Sequence, residues 1–174
     1  MSKHILVFLF LLSATKQAFT QNKFVRELVE IKLPKDAKAV TQLPVYTSKD
    51  KTIGSFIGKG YIDNTFQVDS IYIEMDADVL PDTLYGKMAI YNRKFDLEDY
   101  KDISSLYKLT MQNVNGIHSV YAQHEFRNVI GRFKFYGVNA SKSKIFTFTV
   151  EYDPKDRDRA TKIFEQIKDS LKFK

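Results

Sequence analysis

The chain of 174 residues carries 27 basic and 21 acidic side chains, a formal charge of +6, with 44% hydrophobic and 14% aromatic residues. That apolar content excludes a disordered or low-complexity chain, and the length suits one ordinary domain. The absence of cysteine excludes disulfides, thiolate metal sites, a cysteine nucleophile and a bacterial lipid anchor, which requires a cysteine after its signal peptide.

The first twenty residues read as an export signal. Lys3 and His4 form a basic head, Ile5 to Ala14 an unbroken apolar run, and Ala18-Phe19-Thr20 a small-residue junction. The run is about half the length a membrane-spanning helix needs, so no membrane span is expected in the mature chain. Cleavage after Thr20 would leave Gln21 as the new terminus and residues 21–174 as one periplasmic or extracellular domain. It removes Lys3 and Lys16 and no acidic residue, so part of the basicity leaves with the leader. The charge that remains lacks the concentrated Lys/Arg stripe of a nucleic-acid interface, and nucleic acid is not expected as a partner.

In the mature chain, Val25 to Leu33 alternates, with Val25, Glu27, Val29, Ile31 and Leu33 on one face. This predicts a strand stopped by Pro34. Lys49-Asp50-Lys51 predicts a turn between short strands, and Phe66 to Met75 a strand. Leu84 to Tyr91 fits either strand or helix. Leu97, Tyr100, Ser104, Tyr107 and Met111 predict a helix over 96–111 capped by Asp96. Asn113 to Gly116 predicts a turn.

Ile117 to Tyr152 predicts a three-strand meander. With Phe133, Phe135, Phe146, Phe148 and Val150 on the core face, a four-residue loop over 139–142 pairs Phe133 with Phe148 and Phe135 with Phe146. A two-residue loop at Arg127-Asn128 pairs Ala122 with Phe133 and Val120 with Phe135. The last element is a helix capped by Asp153 and opened by Pro154, with Ala160, Ile163, Phe164, Ile167 and Leu171 on its buried stripe.

Few residues carry chemistry. His118 and His124 share a strand face but stand roughly 20 Å apart, too far to share a metal, and read as core or peripheral histidines. Asp76, Asp78 and Asp82 near Glu74 invite a calcium loop, but Val79, Leu80 and Pro81 occupy its middle where a glycine bend is needed, so a solvated acidic loop is favoured. Gly58-Lys59-Gly60 lacks the spacing of a phosphate loop and reads as a turn. Asn139-Ala140-Ser141 matches a glycosylation sequon in a hairpin loop and is taken as chance. No nucleophile elbow occurs, and Ser119 faces away from its neighbour His118. No catalytic residue, metal or cofactor is therefore assigned.

In the predicted register the outer face of the meander carries Tyr121, Gln123, Arg132, Lys134, Tyr136, Thr147 and Thr149, with Lys134 opposite Tyr121 and Thr147. Tyr121, Arg132, Lys134 and Tyr136 form a candidate binding surface for an acidic protein or envelope component. The other reading is a helix-covered or solvated face, with basic stems packed over aromatic rings.

The order of elements resembles the PsbP-like group of α/β/α sandwich domains. The residues that carry the resemblance are Ile31-Lys32-Leu33-Pro34-Lys35-Asp36, the predicted helix from Asp96, Val114-Asn115-Gly116 leading into the aromatic strands, and the terminal helix running into Ser170-Leu171-Lys172-Phe173-Lys174. The resemblance implies an α+β fold, a central antiparallel sheet with helices on both faces. It also implies an accessory protein or binding module rather than a catalyst, and it transfers no functional residue. The expected protein is an exported, monomeric, non-enzymatic binding domain. The alternative is a small hydrolase assembled from scattered carboxylates and histidine.

Overall fold

The computed structural model describes residues 23–48, 51–55, 57 and 64–174. The expected leader and the Gly58-Lys59-Gly60 turn lie outside the described residues. In chain order the elements are α1 (Lys23–Leu28), β1 (Val29–Glu30), β2 (Lys38–Ala39), β3 (Val45–Ser48), β4 (Lys51–Gly54), β5 (Thr65–Val68), β6 (Ile71–Val79) and α2 (Thr83–Glu98). They continue with β7 (Ser104–Val114), β8 (Ile117–Phe126), β9 (Ile130–Val138), β10 (Lys144–Tyr152), α3 (Arg157–Ser170) and β11 (Lys172–Phe173).

Seven of these strands form one antiparallel sheet in the order β2-β5-β6-β10-β9-β8-β7. On one face, α1 and α3 bury an aromatic core: Phe66, Phe133, Phe135, Phe146, Phe148 and Tyr152 against Val25, Ile163, Phe164 and Ile167. On the other, Ala89, Ile90 and Leu97 of α2 pack on Val120, Ala122, Tyr136 and Val138. The architecture is the expected α+β sandwich, with helices on both faces of an antiparallel sheet.

Phe164 sits at the centre of the first core with no exposed surface. Its ring centroid lies 4.7 Å from Phe133, 5.2 Å from Phe148, 5.2 Å from Tyr121 and 6.4 Å from Phe135. Below it, Glu125 is buried and receives two hydrogen bonds from Arg157, each 2.6 Å, which tie β8 to the start of α3. As expected, Asp153 caps the turn before that helix, accepting from the Lys155 amide in a single 3₁₀ turn at Pro154–Asp156.

Several expectations are corrected. The Val25–Leu33 strand is a helical turn followed by two strand residues. Val25, Leu28 and Val29 are the buried set, an i, i+3, i+4 spacing that coincides with alternation at Val25 and Val29. The expected strand at Phe66–Met75 is a hairpin, β5–β6, turning at Asp69, whose φ is 52°. The helix expected over 96–111 lies earlier, at Thr83–Glu98, where Asp82 accepts from the Tyr85 amide as N-cap. Residues 104–114 are instead the edge strand β7. Its Tyr107 and Leu109, two apart, both pack against the α2 core, and their period of two was overlaid by a chance helical spacing. The turn expected over Asn113 to Gly116 is present but shorter: Asn115 and Gly116 hold it, both at positive φ, while Asn113 and Val114 are paired with His118 and Ile117.

The three-strand meander is present, with two register differences. Between β9 and β10 the pairs are Phe135 with Phe148 and Phe133 with Val150. This slip of two residues keeps every side chain on its expected face. Between β8 and β9 the slip is one residue: Tyr121 pairs with Phe135 and Ala122 with Lys134. The connection holds three residues, with Arg127 and Asn128 both left-handed and Val129 buried beside Tyr46. A slip of one turns a whole strand over. Tyr121 and Gln123 therefore join the aromatic face, while Val120 and Ala122 face α2. Helices cover β8 on both sides, so its alternation could not discriminate between the two faces.

The aromatic core generates a stability test. Phe164→Asp buries a charge among four rings and should cost at least several kcal/mol. Lys162→Ala, on the exposed side of α3, should stay within about 0.5 kcal/mol. Denaturant midpoints check both; equal small shifts would mean α3 is not docked through Phe164.

Candidate functional site

The face opposite the aromatic core is built in rows. Along β6, Tyr72, Glu74 and Asp76 alternate with buried Ile71, Ile73 and Met75. The register aligns Asp76, Thr147 and Tyr136 in one row, Glu74, Thr149 and Lys134 in the next, and Tyr72, Glu151 and Arg132 in the third. In the second row Glu74 on β6 therefore looks across Thr149 to Lys134 on β9, about 10 Å away at two inter-strand spacings, with Asp76 and Arg132 in the flanking rows.

Helix α2 covers only the β8–β9 side of this face. At the other end, Ser55 donates a 2.6 Å hydrogen bond to the fully buried Glu151. Between these two covers lies an open cleft of about 420 Å³, lined by Glu74, Asp76, Asp78, Arg93, Arg132, Lys134, Tyr136 and Thr147. Arg93 enters from α2. Its guanidinium stands 5.2 Å from the centre of the Tyr136 ring and bonds Asp96 at 2.8 Å. The Lys134 ammonium lies 5.5 Å from the same ring centre, so one aromatic ring contacts two cations.

Burial and charge oppose each other here. The Lys134 ammonium is lowered to about 8, chiefly by burial and then by Arg132, while Glu74 pulls it back up. Glu74 is raised by burial, against the attraction of Lys134 and Arg132. Asp76 is also raised by burial, offset by the hydrogen bond it accepts from the Ala77 amide. Glu74 and Lys134 each favour the charged form of the other in a partly dehydrated surface.

Of the candidate surface residues, Arg132, Lys134 and Tyr136 line this cleft together. Tyr121 does not: the one-residue slip of β8 places it on the aromatic face, 5.2 Å from Phe164. Lys134 faces Ala122 and Thr149 rather than Tyr121 and Thr147. The acidic loop is also corrected. Glu74, Asp76 and Asp78 are alternate residues of a strand and Asp82 is a helix cap, so the four do not encircle a point. Among the described residues no group of three or more histidine, aspartate or glutamate side chains is placed to hold a metal ion. The acidic wall escaped the sequence reading although its signal, acids at i, i+2 and i+4 beside an apolar alternation, was available. Arg93 gave no signal at all, since only the packing of α2 brings it to the sheet.

His118 and His124 share one face of β8, as expected, but the one-residue slip turns that face to α2 rather than to the aromatic core. His124 is 3% exposed, stacks on Tyr100 at 4.5 Å, and its Nδ1 has no hydrogen-bond partner among the described residues. Burial, with Arg132 and Lys134 nearby, lowers it to about 4. It is neutral at pH 7 and does not line the cleft. The sequon lies in the β9–β10 connection, where the Asn139 carboxamide bonds Ser141 and accepts from the Ser143 and Lys144 amides.

Two titrations follow. His124 is lower in the folded than in the unfolded chain. Its contribution is therefore complete above about pH 6.5 and is lost as pH falls toward about 4. Between pH 7 and 4 the wild type should lose roughly 3 kcal/mol more stability than His124→Phe, read from denaturation at each pH; parallel curves would contradict the buried neutral imidazole. The Lys134 side chain should titrate near 8 by NMR. In Glu74→Gln it should titrate lower still, because the carboxylate that holds its proton is gone. An ordinary lysine midpoint would refute the dehydrated cleft.

No family model matches the sequence, and no curated protein matches it significantly. Among solved structures, the chain is similar to the solution structure of cyanobacterial PsbP from Synechocystis sp. PCC 6803. The similarity has a TM-score of 0.48 and 11% identity, over 86% of this chain and 88% of that one.

Proposed function

We propose that the protein is a non-enzymatic binding domain working outside the cytoplasm, and that the cleft on the charged face is its binding site. The observation that carries this reading is the opposition of an acidic wall on β6 to a basic wall on β9 across uncharged threonines. Such a surface suits a partner segment presenting both signs, a base toward Glu74 and Asp76 and an acid toward Arg132 and Lys134. It replaces the purely acidic partner expected from the basic residues alone. The depressed Lys134 supports it, since an incoming carboxylate restores the stabilisation that burial removed.

The hydrolase alternative lacks support. The cleft lining holds neither serine nor histidine, and His124 is committed to its stack on Tyr100. No helix among the described residues is long and apolar enough to cross a membrane, and the leader pattern of residues 5–20 supports export.

Capped peptides of sequence Lys-Ala-Ala-Glu, Glu-Ala-Ala-Glu and Lys-Ala-Ala-Lys, titrated by NMR, test the proposal. The mixed-charge peptide should shift amides of β6, β9 and β10, and the single-sign peptides much less. The shifts should vanish in the double variant Asp76→Asn with Lys134→Gln. Shifts confined to another surface would overturn the site. Turnover of an ester, glycoside or peptide panel, lost in Asp76→Asn, would overturn the non-enzymatic reading.

A further inference from the structure

Helix α2 is apolar on two sides. One side carries Ala89, Ile90 and Leu97 into the core. The other carries Leu84, Met88, Tyr91 and Phe95, which are 65%, 53%, 62% and 63% exposed. Their spacing is four, three, four, the step of a coiled-coil seam, so they form one straight stripe along the helix. The stripe is held rigidly. At Gly86 a Cβ would stand 1.9 Å from the Lys142 carbonyl oxygen, so the helix seats directly on the β9–β10 connection.

We infer that this stripe is a two-fold interface, covered by the same stripe of a second copy of the chain. Three observations select that occupant. The first is area. With side chains of about 200–250 Å² each, these exposures amount to roughly 500–600 Å². Two copies with the stripe fully covered then bury roughly 1,000–1,200 Å², the lower bound for a specific interface and the range of a reversible one.

The second is charge. Thr83 to Glu98 carries three bases (Lys87, Arg93 and Lys94) and two acids (Asp96 and Glu98), and its capping residues Asp82 and Asp99 add two more acids. A helix with this balance is not drawn to an anionic membrane, whose amphipathic binders are strongly basic. Its mixed charge imposes little net repulsion on a copy of itself. The third is shape. Beside the stripe lies a groove of about 370 Å³, lined by Tyr91 and Met111 together with Lys87, Gln112, His118 and Lys142, that can receive a side chain from the facing helix. A straight stripe can lie against its own copy about a two-fold axis, as an isologous interface requires. This dimer stands in place of the monomer expected from sequence and does not depend on the binding cleft.

Sedimentation velocity of the purified protein, from low to high micromolar, tests it. The wild type should show a concentration-dependent monomer–dimer equilibrium. The double variant Met88→Glu with Phe95→Glu should remain monomeric with an unchanged melting temperature. Should that variant unfold, the cysteine-free background supplies a second test. Tyr91→Cys, near the middle of the stripe, should oxidise to a covalent dimer at protein concentrations where the control Lys162→Cys does not. A wild type monomeric throughout, or Tyr91→Cys and Lys162→Cys cross-linking equally, would overturn the proposal. So would stripe-dependent binding to anionic phospholipid vesicles by a protein that stays monomeric.

Discussion

The fold depends on one ring. Phe164 projects from α3 into a bed formed by Tyr121, Phe133, Phe135 and Phe148, side chains from three adjacent strands. A helix of this length is marginal by itself, and a sheet exposing that many rings would aggregate. Each resolves the other's problem in one contact. The ion pair of buried Glu125 with half-exposed Arg157 then fixes where along β8 the helix begins.

Because the aromatic face is closed by α1 and α3, the chemistry of the molecule is displaced to the opposite face. There a single helix, α2, covers only the β8–β9 side, and the segment around Ser55 reaches only the end near Glu151. The strip between them must carry side chains that tolerate partial dehydration. It does so with acids and bases in facing rows, whose mutual attraction offsets part of the desolvation that burial imposes. The same incomplete cover makes a site: groups that stabilise one another imperfectly are disposed to accept a ligand that completes the pairing.

The position of α2 has a second consequence. A helix bridging sheet and solvent normally needs one apolar stripe. This one has two, and the outer stripe has no function in the isolated fold. The double-sided pattern also explains why residues 84–91 resist assignment from sequence. Apolar residues on both sides of a helix blur its 3.6-residue period, while the exposed edge strand β7 mimics that period by accident.

The sequence by itself determined the elements whose instructions are local. The terminal helix carries its cap, its opening proline and its stripe between Asp153 and Leu171, and the Asn115-Gly116 turn carries its own backbone preference. The aromatic alternation of 133–150 states which side chains must be covered. The α+β layering follows from these. Tertiary structure decided what depends on distant parts of the chain. Val25, Leu28 and Val29 fit a strand or a helical turn equally well until docking on the sheet selects one. Strand β8, covered on both faces, could be turned over at no visible cost to its pattern, and the three-residue connection through Val129 settled which way it faces. That choice removed Tyr121 from the candidate site. The strand order that sets β6 beside β10 brought Glu74 and Asp76 into it, and the packing of α2 added Arg93. A binding surface made of rows across strands is a property of register, and register is written in the turns and in the cover of both faces rather than in any one strand.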